Sequence, residues 1–196
     1  MRILTHLALW FALAGTSLLI TAPAHSASCA GISMPDQIEK DGEKFILNGI
    51  GLRLSRFLAF KIKVYAAGLY LTKKSPDPET IISDDQPRHI ELHFLRDVNQ
   101  NKIRNAMQKS FERNAGELID TLKVRIETFK DAMTDLKTGQ TLTFSYLPGK
   151  GTTVTLEGVK KAIIEGADFA SALFSLWLAN PPNSELKVGL LGGDCQ

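Results

Sequence analysis

Two consecutive stretches, Gly49-Ile-Gly-Leu-Arg53 and Phe60-Lys-Ile-Lys-Val-Tyr-Ala-Ala-Gly-Leu-Tyr-Leu71, carry most of the fold information in this 196-residue chain. In the second stretch apolar and polar side chains alternate from its start, which is the period of a β-strand. The first stretch belongs to a segment, residues 44–54, with the same alternation, interrupted by glycine at 49 and 51. The pattern predicts two successive long strands.

The rest of the chain supplies further strands and helices in separate runs. Alternation predicts a strand over 88–96, with Ile90, Leu92 and Phe94 on one face and His89, Glu91 and His93 on the other. Helical spacing predicts helices over 99–114, 118–133 and 168–179, and shorter helical segments after Pro76 and over 184–191. A hairpin is predicted around residues 148–151. This order of elements predicts an α+β fold with an antiparallel sheet.

The N-terminus has the parts of an export signal. Arg2 precedes an apolar stretch over 7–20, and the small residues Ala24 and Ser26 occupy the −3 and −1 positions of a cleavage site. We predict a signal peptide over 1–26, a single domain over 27–196 and a periplasmic location. An uncleaved membrane anchor is the alternative, but the apolar stretch is short for a membrane span.

The chain has two cysteines, Cys29 and Cys195, near the two ends of the predicted domain. An exported chain meets an oxidising compartment and chain ends often lie close together, so we predict a disulfide between them. Two unpaired thiols are the alternative. Acylation of Cys29 is disfavoured because Ser26 stands where a lipoprotein signal carries a large aliphatic residue.

Composition and motifs argue against several function classes. The formal net charge of +2 gives no basic field for nucleic acid. His89 and His93 lie about 13 Å apart on a strand, so we expect solvent-facing histidines and no metal site. The Gly149-Lys150-Gly151-Thr152 string joins two strands, which does not suit a phosphate loop. No nucleophile motif is present, and we predict no cofactor.

Two arginines are candidates for anion binding. Arg96 continues the parity of Ile90 and Phe94, which places it on their apolar face at the strand end. There it needs a carboxylate, a carbonyl or an anionic ligand, and a structural pairing at the sheet edge is the alternative. Arg53 shares a strand face with two glycines that leave room above the strand, so both a ligand role and a structural role are open.

The two opening stretches resemble the chalcone-isomerase fold family, and the ordered set of motifs resembles its exported bacterial branch from about Gly31 to Gly192. The further matching blocks are Leu92-His-Phe-Leu-Arg-Asp-Val98, Tyr146-Leu-Pro-Gly-Lys-Gly-Thr152, Asp168-Phe-Ala-Ser-Ala-Leu-Phe-Ser-Leu-Trp-Leu178, Leu186-Lys187 and Leu190-Leu191-Gly192. The resemblance implies an open-faced β-sandwich, in which a layer of helices packs over a large antiparallel sheet with a ligand cleft between them.

The resemblance also implies roles for particular residues. Family enzymes use the arginine that corresponds to Arg53 to hold a substrate oxyanion, and they carry a threonine where this chain has Tyr65. Plant fatty-acid-binding members use an arginine and a tyrosine in these strands to bind the ligand carboxylate. Arg53 and Tyr65 therefore resemble an acid-binding pair, and Arg96 is expected to add to the positive potential.

The enzymes of the family place a tyrosine and an asparagine near the start of the helix that here begins at about residue 99. This chain has no tyrosine there, and the possible substitutes are Lys102, Asn105 and Ser110. The hydrogen-bonding set of the isomerase is therefore incomplete in this sequence.

We predict a monomeric, non-catalytic binder of a fatty acid or similar small amphipathic carboxylate, without a membrane span once the signal is removed. The apolar tail of the ligand is expected to lie near Met107, Phe111, Phe169 and Phe174, and the alternative is that these residues only pack in the core. One alternative is an isomerase (an intramolecular lyase) for a phenolic or enone-like substrate, with Arg53 and Tyr65 catalytic. The other is an inert structural or partner-binding module. If the protein is a binder, we expect an apolar tunnel that ends at Arg53. If it is an enzyme, we expect an open polar cleft, and if it is an inert module, we expect Arg53 to be paired with an acidic side chain.

Overall fold

One large antiparallel sheet organises the structure. The computed structural model describes residues 26–58 and 60–195, without the side chain of Phe57, so the predicted signal peptide lies almost entirely outside the described residues. The strands are β1 Ser26–Cys29, β2 Ile32–Pro35, β3 Gln37–Lys40, β4 Glu43–Phe57, β5 Phe60–Leu71, β6 Arg88–Phe94, β7 Thr141–Leu147, β8 Gly151–Leu156 and β9 Val159–Ile164. The helices are α1 Pro78–Ser83, α2 Gln100–Asn114, α3 Leu118–Asp131, α4 Ala167–Leu178 and α5 Ser184–Leu190.

Within the described residues the strands β3 to β9 form a seven-stranded sheet in simple sequence order, and β1 and β2 form a separate hairpin. Every neighbouring pair is antiparallel, as predicted. Strand β9 was not predicted, because its side chains are mostly exposed and its two lysines, Lys160 and Lys161, break the alternation. The predicted α+β fold with a layer of helices over an antiparallel sheet is confirmed.

Strands β4 and β5 form a long hairpin whose register shifts twice, between Leu47 and Gly49 and between Arg53 and Leu54. The first shift is a β-bulge that sets which residues of β4 face the helices. After it, Ile50 and Leu52 point to the outer face of the sheet, and Gly49 and Gly51, which alternate with them, point toward α5.

The main core lies between the sheet and the helices α2, α3 and α4. The aromatic side chains Phe111, Phe129, Phe169 and Phe174 are fully buried there, and Met107 packs at its edge. The side chains that were candidates to contact an apolar ligand tail therefore belong to the protein core, which was the alternative interpretation. A bidentate ion pair from Arg125 to Asp168, with N–O distances of 2.7 and 2.6 Å, joins α3 to the first turn of α4.

A second apolar cluster covers the opposite face of the sheet. It includes Met34 of β2, Phe45 and Leu52 of β4, and Tyr70 of β5, whose hydroxyl donates to the Pro35 carbonyl at 3.1 Å. The disulfide between Cys29 and Cys195 ties the β1–β2 hairpin to the C-terminal tail, as predicted.

The expectation of solvent-facing histidines was wrong for His89. Its side chain is fully buried between Phe45 and Tyr70, and its Nε2 lies 3.1 Å from Glu91 Oε1. His93 is partly exposed and lies 3.3 Å from the other oxygen of Glu91. Strand parity correctly assigned these residues to one face, but β3, β4 and the β1–β2 hairpin bury part of that face by long-range packing.

Candidate functional site

Arg53 and Tyr65 are paired directly across β4 and β5. Residues opposite each other in an antiparallel pair project from the same face of the sheet, and Tyr65 belongs to the core under the helices. The register shifts directly after Arg53, and pairing then resumes with Leu54 opposite Lys63. The structure thus brings together two of the three residues that the sequence singled out.

Helix α5 occupies the room that the glycines of β4 leave. A methyl group on Gly51 would lie 2.2 Å from the Leu186 carbonyl oxygen, and one on Gly49 would lie 2.1 Å from that of Gly189. The expectation of free space over this face was therefore wrong for these two positions, because a helix backbone packs against them. The space that remains lies beyond the start of α5, at Arg53.

Asn183, which precedes α5, holds the helix start on β4 beside Arg53. Its side-chain oxygen accepts from the Leu54 amide at 3.2 Å and from Arg53 Nη1 at 3.3 Å, and its Nδ2 donates to the Leu52 carbonyl at 3.1 Å. Arg53 also donates to the Leu54 carbonyl. Within the described chain no carboxylate lies within ion-pair distance of Arg53, so its charge is not neutralised by an acidic side chain.

Tyr65 is partly buried and packs against the main core. Its hydroxyl oxygen accepts a hydrogen bond from the Trp177 indole at 3.0 Å, and its ring packs against Phe94 with centroids 5.4 Å apart. Burial raises the pKa of Tyr65, more than the nearby Arg53 charge and the Trp177 hydrogen bond lower it. The hydroxyl therefore keeps its proton at neutral pH, and among the described residues that proton has no acceptor.

An open depression of about 430 Å³ lies at Arg53. Its lining combines basic and polar side chains with a single acid, and Lys61 lies 3.8 Å from that acid, Glu185. The lining residues are Arg53, Leu54, Ser55, Arg56, Lys61, Pro182, Asn183, Ser184 and Glu185. This open polar shape differs from the apolar tunnel predicted for a binder, and the unneutralised Arg53 differs from the acid-paired arginine predicted for an inert module.

Of the three residues predicted to bind a ligand, only Arg53 lines this depression, and Tyr65 and Arg96 do not. Strand β6 ends at Phe94, and the chain bends away where the Leu95 amide donates to the Val64 carbonyl at 2.9 Å. Arg96 is exposed, so the placement on the apolar face was wrong because the strand ends two residues earlier than predicted. The possible substitutes on α2 also lie outside the depression: Lys102 and Asn105 are exposed and Ser110 is buried in the helix layer.

A second depression of about 340 Å³ lies at the other end of β5 and includes Lys73, Lys74 and Arg88. Arg88 is almost fully buried, and its guanidinium stacks over the rings of Tyr146 and Phe174 at 5.1 and 5.2 Å. It donates to backbone carbonyls at the end of α1, including that of Asp84 at 2.8 Å. These contacts explain Arg88 as a structural cation that anchors α1 to the sheet.

The model of the chalcone isomerase-like family matches residues 26–192. The chain belongs to the chalcone isomerase-like family. Among solved structures, a fatty-acid binding protein from Arabidopsis thaliana has the same fold, with a TM-score of 0.69 and 20% sequence identity over 85% of this chain and 96% of that chain. No curated protein is similar in sequence to this one. Within the described residues, this chalcone isomerase-like protein has no helix of the length and apolarity that a membrane crossing requires.

Two residues of the site were not anticipated from the sequence. Asn183 follows Pro181 and Pro182 and precedes a short helix, which is the pattern of a helix start and would have drawn attention to it. Trp177 gives no such signal, because an aromatic residue in an apolar helix is indistinguishable from core until the partner of its indole is known.

Proposed function

We propose that this chalcone isomerase-like protein is a non-catalytic binder of a fatty acid or similar small amphipathic carboxylate. The observation that carries the proposal is the Arg53–Tyr65 pair. Both side chains offer hydrogen-bond donors. In the described structure no acidic side chain neutralises the Arg53 charge or accepts the Tyr65 hydroxyl proton. A carboxylate supplies the acceptors and the negative charge that such a pair lacks.

The electrostatics of the depression favour a carboxylate at this position. A charge-assisted hydrogen bond from Arg53 contributes about 1.5–3 kcal/mol, and the Tyr65 hydroxyl, which lies outside the lining of the depression, adds about 1 kcal/mol once a ligand reaches it. Arg56 and Lys61 line the same depression, and Glu185 is its one acidic residue. The local excess of positive charge attracts an anion before contact is made.

The apolar tail of the ligand needs a different environment from the polar depression. Larger apolar groups adjoin Tyr65, where the Phe94 ring packs against its ring and the Trp177 indole donates to its hydroxyl. These rings fill the space in the present structure, so tail binding requires α4 to move away from the sheet. The Arabidopsis protein of the same fold is a fatty-acid binding protein, which supports this ligand class.

The open shape of the depression favours the second candidate, an isomerase for a phenolic or enone-like substrate. Polar groups that converge on one cleft are what such chemistry needs, and Arg53, Asn183 and Glu185 lie together here. However, the polar side chains at the start of α2, which could replace the missing tyrosine, do not reach the depression. The binder is therefore the better supported of the two.

Native mass spectrometry of the purified protein tests the proposal, with Arg53→Ala and the matched control Arg56→Ala. Arg56 lines the same depression but is exposed and pairs with Lys61 in the sheet, away from Tyr65. A co-purified carboxylic acid that is lost with Arg53→Ala and largely kept with Arg56→Ala supports the binder, because Arg56 adds only to the long-range attraction and Arg53 holds the carboxylate. A ligand-free mass that stays unchanged when fatty acids of increasing chain length are added contradicts it. Turnover of a chalcone-type enone that depends on Arg53 would instead support the isomerase.

A further inference from the structure

Two large apolar side chains lie exposed at the turn of the β4–β5 hairpin. Leu58 is 86% exposed and Phe60 is 70% exposed, and we refer to these two residues as the hairpin tip. Along β5 the side chains are buried from Ala66 to Leu71 and become exposed toward Phe60. The hairpin therefore projects from the body of the protein and carries its apolar residues outward.

The backbone of the hairpin tip is strained at Leu58. Leu58 has a φ of 54°, in the left-handed region that costs a residue with a side chain about 1–2 kcal/mol. Neither Leu58 nor Phe60 belongs to an apolar cluster formed by the described residues. The strained backbone of Leu58 opposes folding, and the exposed apolar side chains of the tip contribute nothing to offset it, because they stay in water in the folded protein.

Basic side chains surround the tip. Arg56 of β4 and Lys61 and Lys63 of β5 are all exposed, and Lys61 is balanced only by its long contact with Glu185. The hairpin end thus combines an apolar point with a cationic collar of Arg56, Lys61 and Lys63. A lipid bilayer with anionic headgroups has the complementary arrangement, because an apolar interior lies beneath a negatively charged surface.

We propose that the hairpin tip inserts into anionic membranes, with the cationic collar on the lipid headgroups. The depression at Arg53 would then lie at the level of the headgroups, since Arg56 and Lys61 belong to both the collar and the depression. Membrane docking in this way does not depend on the ligand assigned to Arg53 and Tyr65.

A second copy of the chain fits this surface less well. Two side chains offer far less apolar area than the roughly 1,200 Å² that a stable protein interface buries. A two-fold contact through the tips would also bring two cationic collars together, and like charges at close range repel. A bilayer needs only a few inserted side chains and gains from every collar charge.

Flotation with lipid vesicles tests the proposal on the purified protein, whose N-terminus is first verified by intact mass. The vesicles contain either phosphatidylcholine alone or about one-third phosphatidylglycerol. The test variant is Leu58→Asp with Phe60→Asp, and the matched control is Val124→Asp, because Val124 is an exposed apolar residue (78%) on α3. All of these positions are exposed, so the variants are expected to keep the melting temperature of the wild type.

We expect the tip variant to bind anionic vesicles at least about tenfold more weakly than the wild type, and the Val124 control to bind unchanged. Lys61→Glu with Lys63→Glu should abolish the preference for phosphatidylglycerol, since each collar charge changes binding about fivefold. Equal binding of wild type and tip variant, or no binding to anionic vesicles at all, overturns the proposal. A concentration-dependent dimer that disappears in the tip variant overturns it in favour of self-association.

Discussion

Arg53 lies directly opposite Tyr65 across the β4–β5 pair, and the Tyr65 hydroxyl is in turn bound to the Trp177 indole of α4. Tyr65, which is partly buried and lies opposite Arg53 in the sheet, is thus joined to the helix layer.

Removing the Tyr65 hydroxyl should destabilise the fold through Trp177. Tyr65→Phe leaves the buried indole N–H without its acceptor, which costs about 1–3 kcal/mol. In a double-mutant cycle measured by urea unfolding, Trp177→Phe should reduce the cost of Tyr65→Phe, with a coupling energy of about 1 kcal/mol. Strictly additive effects of the two substitutions would show that this hydrogen bond does not contribute to stability.

Gly51 should tolerate no side chain, because α5 packs on it. In Gly51→Ala the new methyl group would approach the Leu186 carbonyl oxygen to 2.2 Å, and α5 has to lift from β4. We expect a loss of about 2 kcal/mol or more in unfolding free energy and weaker ligand binding, since the position of Asn183 at Arg53 depends on α5.

Gly149→Ala is the control for that substitution. Gly149 has no neighbour within 4 Å and a φ of +73°, so alanine there introduces backbone strain without crowding and should cost only about 1 kcal/mol. Ligand binding should be unchanged in this control. Equal losses for the two glycine variants would contradict the role assigned to α5.

Glu91 should stabilise the protein in a pH-dependent way. Burial tends to raise the pKa of its carboxyl, but hydrogen bonds from His89 and His93 and the charges of these residues lower it to about 2. Because the folded-state pKa lies below the ordinary value of 4.5, the stabilisation is fully present above that value and is lost as the pH falls toward about 2.

Glu91→Gln should therefore lower the unfolding free energy by about 2 kcal/mol at neutral pH, and the difference from the wild type should shrink between about pH 4.5 and pH 2. Urea unfolding across this range measures it. Glu39→Gln, at an exposed position of the edge strand β3, is the matched control and should have little effect at any pH. A deficit of Glu91→Gln that is independent of pH would be evidence against the ionised carboxylate.

The disulfide should contribute a large part of the stability, because it closes a span of 166 residues. Restriction of the unfolded chain by a loop of this length contributes about 3–5 kcal/mol. Replacing Cys29 and Cys195 together by serine should lower the melting temperature substantially, and reductant should bring the wild type to the same value. A wild type that is insensitive to reductant would show that the bond is absent from the purified protein.

Much of the fold could be predicted from local pattern. The alternation along β5 and β6 and the helical spacing in α2, α3 and α4 identified these elements, because one buried face imposes a period on the sequence. The ends of strands were harder to predict from the sequence. Strand β6 ends at Phe94, and Arg96 is exposed and does not lie on the apolar face. A strand end depends on which backbone groups find partners, and those partners are distant in sequence.

The sequence by itself determined the α+β class and the family, and it singled out Arg53 and Tyr65, which are partners across β4 and β5. Only the tertiary structure decided what covers each face. It placed α5 on Gly49 and Gly51, and it buried His89 beneath the strands and hairpin of the outer face. Parity along a strand assigns a side chain to a face, but burial and partners are set by segments that pack there from elsewhere in the chain.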